Sequence, residues 1–154
     1  MAQGAVQQVK TLTFNLRPAQ LDLLGIMAAV QDAVERLAKP AGIASHVTAR
    51  GEEPSERDAS ASVAVRLVQE AVANTVRHAG ASRICVRLRF LAGGRIGLLV
   101  HDDGKGFDKA AVLTGAPGEH NVGLYGMVER VELVGGRIHL RTPPGGGVAI
   151  RAIL

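Results

Sequence analysis

The sequence predicts an α/β fold: a two-layer sandwich in which a mixed sheet carries helices on one face. Three observations predict it. Apolar residues recur at helical spacing over residues 20–38, 59–79 and 123–134. Short alternating runs lie between and after them. The clearest sets Arg83, Arg87 and Arg89 against Ile84, Val86, Leu88 and Phe90, the pattern of a strand with one face buried and one in water. Turn-forming residues separate the runs, notably Pro40 and Gly42, Gly93-Gly94, and the stretch from Pro143 to Gly147. A length of 154 residues suits one domain, and hydrophobic content of 47% with only 3% aromatic means that aliphatics and alanine must build its core.

In chain order, Val6, Val9, Leu12 and Leu16 have helical spacing, and Pro18 interrupts them. This segment, 1–17, is expected to be the end of a dimerisation helix or an N-terminal helix folded onto its own domain. Residues 18–154 form the domain proper. A helix over 20–38 ends near Pro40 and Gly42. A short strand is expected over 43–49 and a polar loop over 51–58. The next helix covers 59–79. Strands over 83–90 and 95–100 make a hairpin around Gly93-Gly94. Residues 108–121 lack strong periodicity and read as a flap. A helix over 123–134 and two strands, 137–141 and 148–154, complete the chain. There are no internal repeats.

Composition excludes several classes of function. The one cysteine, Cys85, rules out an internal disulfide, suits a reducing compartment and reads as a packed strand residue rather than a nucleophile. No apolar run approaches the ~18 residues of a membrane span, and no secretory signal is evident. The expectation is a soluble cytoplasmic segment without membrane contact of its own. A net charge of +4 raises the question of nucleic acid, but the basic residues are dispersed along the chain and there is one Tyr and no Trp. A solvated or partner-facing sheet surface is the better reading, so no nucleic-acid partner is expected.

The chemistry begins in QEAVANTVRHA, residues 69–79. At about 100° per residue, Glu70, Asn74 and Arg77 share a narrow stripe, while Val65, Val68, Val72 and Ala79 lie opposite. A carboxylate, an amide and a guanidinium on one stripe suit a metal–phosphate ligand: the carboxylate orients a nucleophile, the amide oxygen ligates Mg²⁺ and the guanidinium meets phosphate. By itself, the stripe equally describes a solvated helix face.

Two glycine-rich stretches follow. HDDGKGFD comes directly after the apolar run 96–100, where a strand ending in Asp-x-Gly-x-Gly turns sharply and brings backbone close to a ligand. VGLYGMVERVELVGG, residues 122–136, places glycines ahead of the apolar positions Leu124, Met127, Val128, Val131 and Val134. A glycine turn into a helix N-terminus is a ready anion site. Each stretch alone is a weak signal, with an ordinary turn as its alternative.

Together, the three stretches resemble the ATP-binding catalytic domain of bacterial sensor histidine kinases, a GHKL-type (HATPase) domain of the group that includes gyrase, the heat-shock chaperone ATPases and mismatch-repair MutL. QEAVANTVRHA resembles the family's Asn box, DDGKGFD its first glycine box and GLYGMVERVELVGG its second. LRPAQLDLLGIMAAV, residues 16–30, is similar to the junction after the dimerisation helices of nitrate-sensor-type kinases. The resemblance implies the Bergerat-type ATP-binding fold, with ATP and Mg²⁺ as cofactors. It implies Glu70 as general base and Asn74 as the Mg²⁺ ligand, with Arg77 and His78 facing phosphate. It implies Asp102 as acceptor of the adenine amine, with Asp103 competing for that assignment. Gly104 and Gly106 would lie beside the base, and Gly123, Leu124 and Gly126 would turn N–H groups to the phosphates. Lys105 reads as a solvated loop residue and Met127 as core.

Two positions depart from the family pattern. Val148 stands where a threonine hydroxyl commonly helps hold the adenine site, a loss worth about 1 kcal/mol. The histidines are His46, His78, His101, His120 and His139, none in the first helix or in the context of a phosphoacceptor. The resemblance therefore implies a two-component catalytic half, transferring the γ-phosphoryl to a histidine outside this chain. Its partners would be a dimerisation/phosphoacceptor domain and a downstream response regulator, with a homodimer through the N-terminal helix. Its place would be the cytoplasm, including the cytoplasmic part of a membrane-anchored sensor. The alternatives are an anti-sigma-factor-like serine kinase, which would not need the 16–30 junction, and a non-catalytic nucleotide-sensing module.

Overall fold

The structure, a computed structural model, describes residues 19–106, 119–143 and 146–154. The expected helix and domain boundary at 1–17 and residues 108–118 of the expected flap lie outside the described residues, while residues 119–121, expected in that flap, belong to a helix.

The first helical stretch is two helices, α1 (Ala19–Leu24) and α2 (Ile26–Ala38), where the periodicity predicts one. Gly25 breaks it with φ 94°, a conformation costly for a residue with a Cβ. The free N-terminus this creates is capped by Glu53 from the 51–58 loop. The Glu53 carboxylate accepts from the Ile26 N–H through Oε1 and from the Met27 N–H at 3.4 Å through Oε2. A Cβ on residue 25 would collide with the same carboxylate. Helix α2 then buries Ile26, Ala29, Val30, Ala33, Val34 and Ala38, the 3.6-residue stripe expected.

Strand β1 (Ala44–Arg50) leads through the polar loop to α3 (Ala59–Asn74). Asp58 is the N-cap of α3, accepting from the N–H groups of Ser60 at 3.0 Å and Ala61 at 3.3 Å. The expected helix to residue 79 does not stay α-helical. Its last turn, Thr75–Ala79, is a π turn, and Gly80, left-handed at φ 58°, ends it. Strands β2 (Arg83–Phe90) and β3 (Ile96–Asp102) form the predicted hairpin, with Gly93 and Gly94 both at positive φ. Helix α4 (Glu119–Leu133) begins four residues before the expected start, and strands β4 (Arg137–Arg141) and β5 (Ala149–Ile153) follow.

The sheet order is β1-β2-β3-β5-β4. Among the described strands only β1 and β2 are parallel, and α3 supplies the crossover that a parallel pair requires. The fold is thus the predicted mixed sheet with helices on one face. Inward residues of the strands, including Ile84, Val86, Leu88, Leu98, Val100 and Ile150, pack with Val34 of α2, Val68 and Val72 of α3 and Met127 and Val131 of α4. Each such side chain contributes roughly 1.5–3 kcal/mol by leaving water. The alternating arginines of β2 point outward as the pattern requires, and Cys85, between them, is half-buried. No helix among the described residues is long and apolar enough to cross a membrane.

Candidate functional site

The site forms where the end of α3, the end of β3 and the middle of α4 meet. Burial of Val65, Val68, Ala71 and Val72 fixes the rotation of α3, so the opposite stripe must face away from the core. Glu70 and Arg77 are an ion pair, Arg77 Nη2 lying 3.5 Å from Glu70 Oε1 with the side chains 13% and 50% exposed respectively. The same Nη2 donates to Asn74 Oδ1 at 3.4 Å. The predicted trio is therefore a contiguous group. So exposed an ion pair holds its partners by at most about 1 kcal/mol, and Arg77 can leave for a stronger anion.

Asp102 is the buried polar floor of the site, 4% exposed. Its Oδ1 accepts from the N–H of Gly104 at 2.9 Å and of Val148 at 3.3 Å, and its Oδ2 accepts from the Thr75 hydroxyl at 3.0 Å. A carboxylate offers about four lone-pair positions, so three donors leave one for a ligand. The neighbouring Asp103 is placed differently. Asp103 is exposed, and its oxygens accept from Ser82 N at 2.8 Å, Ser82 Oγ at 2.6 Å and Arg83 N at 2.9 Å, so it caps the start of β2. The Ser82 hydroxyl, followed by the Arg83 N–H, holds the Asp103 carboxyl below the usual range.

The glycines have separate reasons to be glycines. A Cβ on Gly104 would sit 2.5 Å from the Ala79 carbonyl oxygen and 2.6 Å from the Ala79 Cβ, and the neighbouring Lys105 N–H donates to that carbonyl at 2.9 Å. The Asp-x-Gly-x-Gly turn is thereby pressed onto the π turn. Gly106, at φ 75°, approaches Thr142 and the Gly147 carbonyl. A Cβ on Gly123 would come within 2.5 Å of Glu70 Oε1 and 3.6 Å of Asn74 Nδ2, so α4 crosses directly over the polar stripe. Gly126 has nothing within 4 Å of where its Cβ would be, and Leu124 is buried in the core. Because α4 begins at Glu119, Gly123, Leu124 and Gly126 lie within the helix, beyond the first four N–H groups that a helix leaves free. His78 is half-buried in the π turn.

Two of the contacts to Asp102 were not visible in the sequence. Thr75 follows Asn74 and looks like an ordinary helix residue, yet it is 4% exposed and its hydroxyl reaches both the Ala71 carbonyl and Asp102 Oδ2 at 3.0 Å. Of the two acceptors the carboxylate is the stronger. Val148 contributes a backbone N–H, so its side chain carried no signal. The positive φ of Gly147 (85°), beside the Asp102 carbonyl, places that N–H.

Comparison with known proteins identifies the family. Residues 59–154 match the family described as Histidine kinase-, DNA gyrase B-, and HSP90-like ATPase. An uncharacterized sensor-like histidine kinase of Chloroflexus aurantiacus is 36% identical over 152 residues, covering 97% of this chain and 26% of that protein. The signal transduction histidine-protein kinase/phosphatase DegS of Brevibacillus brevis is 32% identical over 153 residues, covering 97% of this chain and 37% of that protein. The chain thus spans well under half the length of these curated relatives. In fold it is similar to the catalytic domain of histidine kinase ThkA, at TM-score 0.66 and 15% identity, covering 86% of this chain and 90% of that one.

Proposed function

We propose, for a chain that belongs to the histidine kinase-, DNA gyrase B- and HSP90-like ATPase family, the role of ATP-binding catalytic domain of a sensor histidine kinase. The γ-phosphoryl of ATP passes to a histidine outside this chain. The observation that carries the reading is the buried Asp102 carboxylate with one acceptor position left over, beside the Glu70–Asn74–Arg77 stripe. An exocyclic amine of adenine fits that position. The carbonyl that guanine has there would set acceptor against acceptor, and rejection of this kind is strong because a buried polar group is left unpaired.

Each residue then has a task. Glu70 orients the incoming nucleophile and accepts its proton. Arg77 exchanges Glu70 for phosphate oxygens, with His78 alongside. Gly104 and Gly106 let backbone lie against the base. Gly123 lets α4 lie directly over Glu70 and, with Gly126, forms the phosphate side of the site, while the buried Leu124 packs behind them. Among the described residues no three His, Cys, Asp or Glu cluster as a metal cage. The donor set fits Mg²⁺ in its usual manner, held by the Asn74 amide oxygen and by phosphates rather than by protein alone. Bound there, Mg²⁺ would neutralise charge on the phosphates, while the protein acts mainly by positioning.

The chain's placement follows the same proposal. Residues 18–154 are the catalytic domain and 1–17 the end of a dimerisation helix through which copies pair. The partners are a phosphoacceptor domain and a response regulator, and the compartment is the cytoplasm. The test is titration with ATP, ADP and GTP, with and without Mg²⁺, then incubation with γ-labelled ATP and a supplied phosphoacceptor domain. Adenine-selective binding and acid-labile, base-stable label on the acceptor are expected. Equal affinity for ATP and GTP would remove Asp102 from its role, and label on the isolated chain's own histidines would overturn transfer to an outside acceptor.

A further inference from the structure

The basic residues are dispersed along the sequence, but the sheet gathers them. Strand register places Arg50 of β1, Arg83, Arg87 and Arg89 of β2, Arg137 and Arg141 of β4 and Arg151 of β5 on the face away from the helices. All seven are exposed. His46, His101 and His139 occupy the same face and are also exposed. Within the strands no Asp or Glu does so, because Asp102 is buried on the other side; Asp103, one residue past β3, lies at the margin of the face beside Arg83, with its carboxylate accepting from the Ser82 and Arg83 N–H groups. None of the seven arginines is in an ion pair among the described residues. Arg50 is the direct cross-strand partner of Arg89, a like-charge pairing that costs stability unless an anion relieves it. The other eleven Lys and Arg of the chain are outnumbered by its fourteen Asp and Glu, so the rest of the molecule is net negative.

We propose that this open sheet face docks on the anionic headgroups of a phospholipid bilayer. The chemistry of the face selects that occupant. Its fixed cations are all arginine, whose planar fork matches phosphate oxygens. They extend from one edge strand to the other, about 19 Å at ~4.8 Å per strand, which a broad charged surface can meet at once. Among the described residues this face carries no Phe, Tyr or Trp to stack a base and no helix to enter a groove, the devices by which sheets and helices most often bind nucleic acid. Ile153, 50% exposed, and the half-buried Leu99 add apolar contacts that a headgroup layer accepts. The net negative remainder is repelled by the same surface, so the charge division fixes the orientation. The inference stands on the register alone and does not depend on the kinase reading.

Sedimentation of the chain with phosphatidylcholine vesicles, with and without phosphatidylserine, tests it. Binding is expected only with phosphatidylserine and should fall as salt rises. Arg87→Gln with Arg151→Gln should lower partitioning about 30-fold, at roughly fivefold per charge. Arg36→Gln with Lys39→Gln, the same charge loss off the face, should change it little. Thermal unfolding shows that both variants fold. No binding to phosphatidylserine vesicles at low salt, equal loss in the two variants, or displacement from vesicles by duplex DNA at lower concentration than by free anionic lipid would each overturn the proposal.

Discussion

Thr75 and Asp102, 27 positions apart, are joined by a 3.0 Å hydrogen bond in the buried floor of the site. It ties the π turn at the end of α3 to the last residue of β3, so the polar stripe and the buried Asp102 carboxylate are held in one frame. The threonine that the family commonly places at position 148 is absent. Here a hydroxyl reaches the carboxylate from the helix side instead.

Thr75→Val keeps the shape and removes the donor. Asp102 Oδ2 is then buried with one partner fewer, and a stability loss of about 1–3 kcal/mol is expected from thermal or urea unfolding. ATP affinity should fall as well, with Thr75→Ser retaining both. Wild-type binding by the valine variant would show that Thr75 does not orient Asp102.

Glu70→Gln and Asn74→Ala should separate chemistry from binding. The glutamine retains nucleotide but lowers transfer to a supplied acceptor by ~10²-fold or more, the usual scale for a general base. The alanine weakens Mg²⁺–ATP more than Mg²⁺-free nucleotide. Single-turnover transfer and calorimetry read the two effects. If both variants match wild type, the stripe is only a helix surface.

Two glycines should respond in opposite directions. Gly104→Ala drives a Cβ into the Ala79 backbone, which cannot swing aside, and should destabilise by roughly 1–3 kcal/mol. Gly126→Ala enters open space within a helix and should stabilise by up to about 1 kcal/mol. Unfolding midpoints check both. Lost ATP affinity in a stabilised Gly126→Ala variant would mark that position as a phosphate contact.

Acid should weaken the fold partly through Asp103. Its carboxyl in the folded chain lies below the ordinary 3.8, so its contribution is complete above that value and disappears as pH falls through the lower folded value. Asp103→Asn should reduce the slope of stability against pH in that acid window and leave neutral-pH nucleotide binding unchanged. An unaltered acid limb would mean that the Ser82 and Arg83 hydrogen bonds are equally strong in the unfolded chain.

Patterns carried on one element were legible. The Glu70–Asn74–Arg77 stripe follows from 3.6 periodicity, and the outward arginines of β2 from alternation. What could not be read depends on distant partners. Residues 20–38 have unbroken helical periodicity, and the break at Gly25 is held by Glu53 from another loop. Asp102 and Asp103 are adjacent and chemically identical, and only packing against Thr75 and Val148 on one side and Ser82 on the other separates them. The glycines ahead of the apolar positions read as a turn into a helix, which puts the start of α4 at Gly123. The structure uses that glycine inside the helix because Glu70 lies beneath it.

The sheet order also dictates when the fold can be finished during synthesis. Strand β5 lies between β3 and β4. From the end of β3 at Asp102, the ribosome must add the stretch to Ala149 before that edge has its second neighbour. At about 5–20 residues per second the nascent chain shows an unpaired edge for roughly 2–10 s. Through that interval Gly97 to His101 can pair with any extended strand nearby. Association between nascent chains, more than loss of the finished fold, is the hazard that this topology brings to expression of the protein.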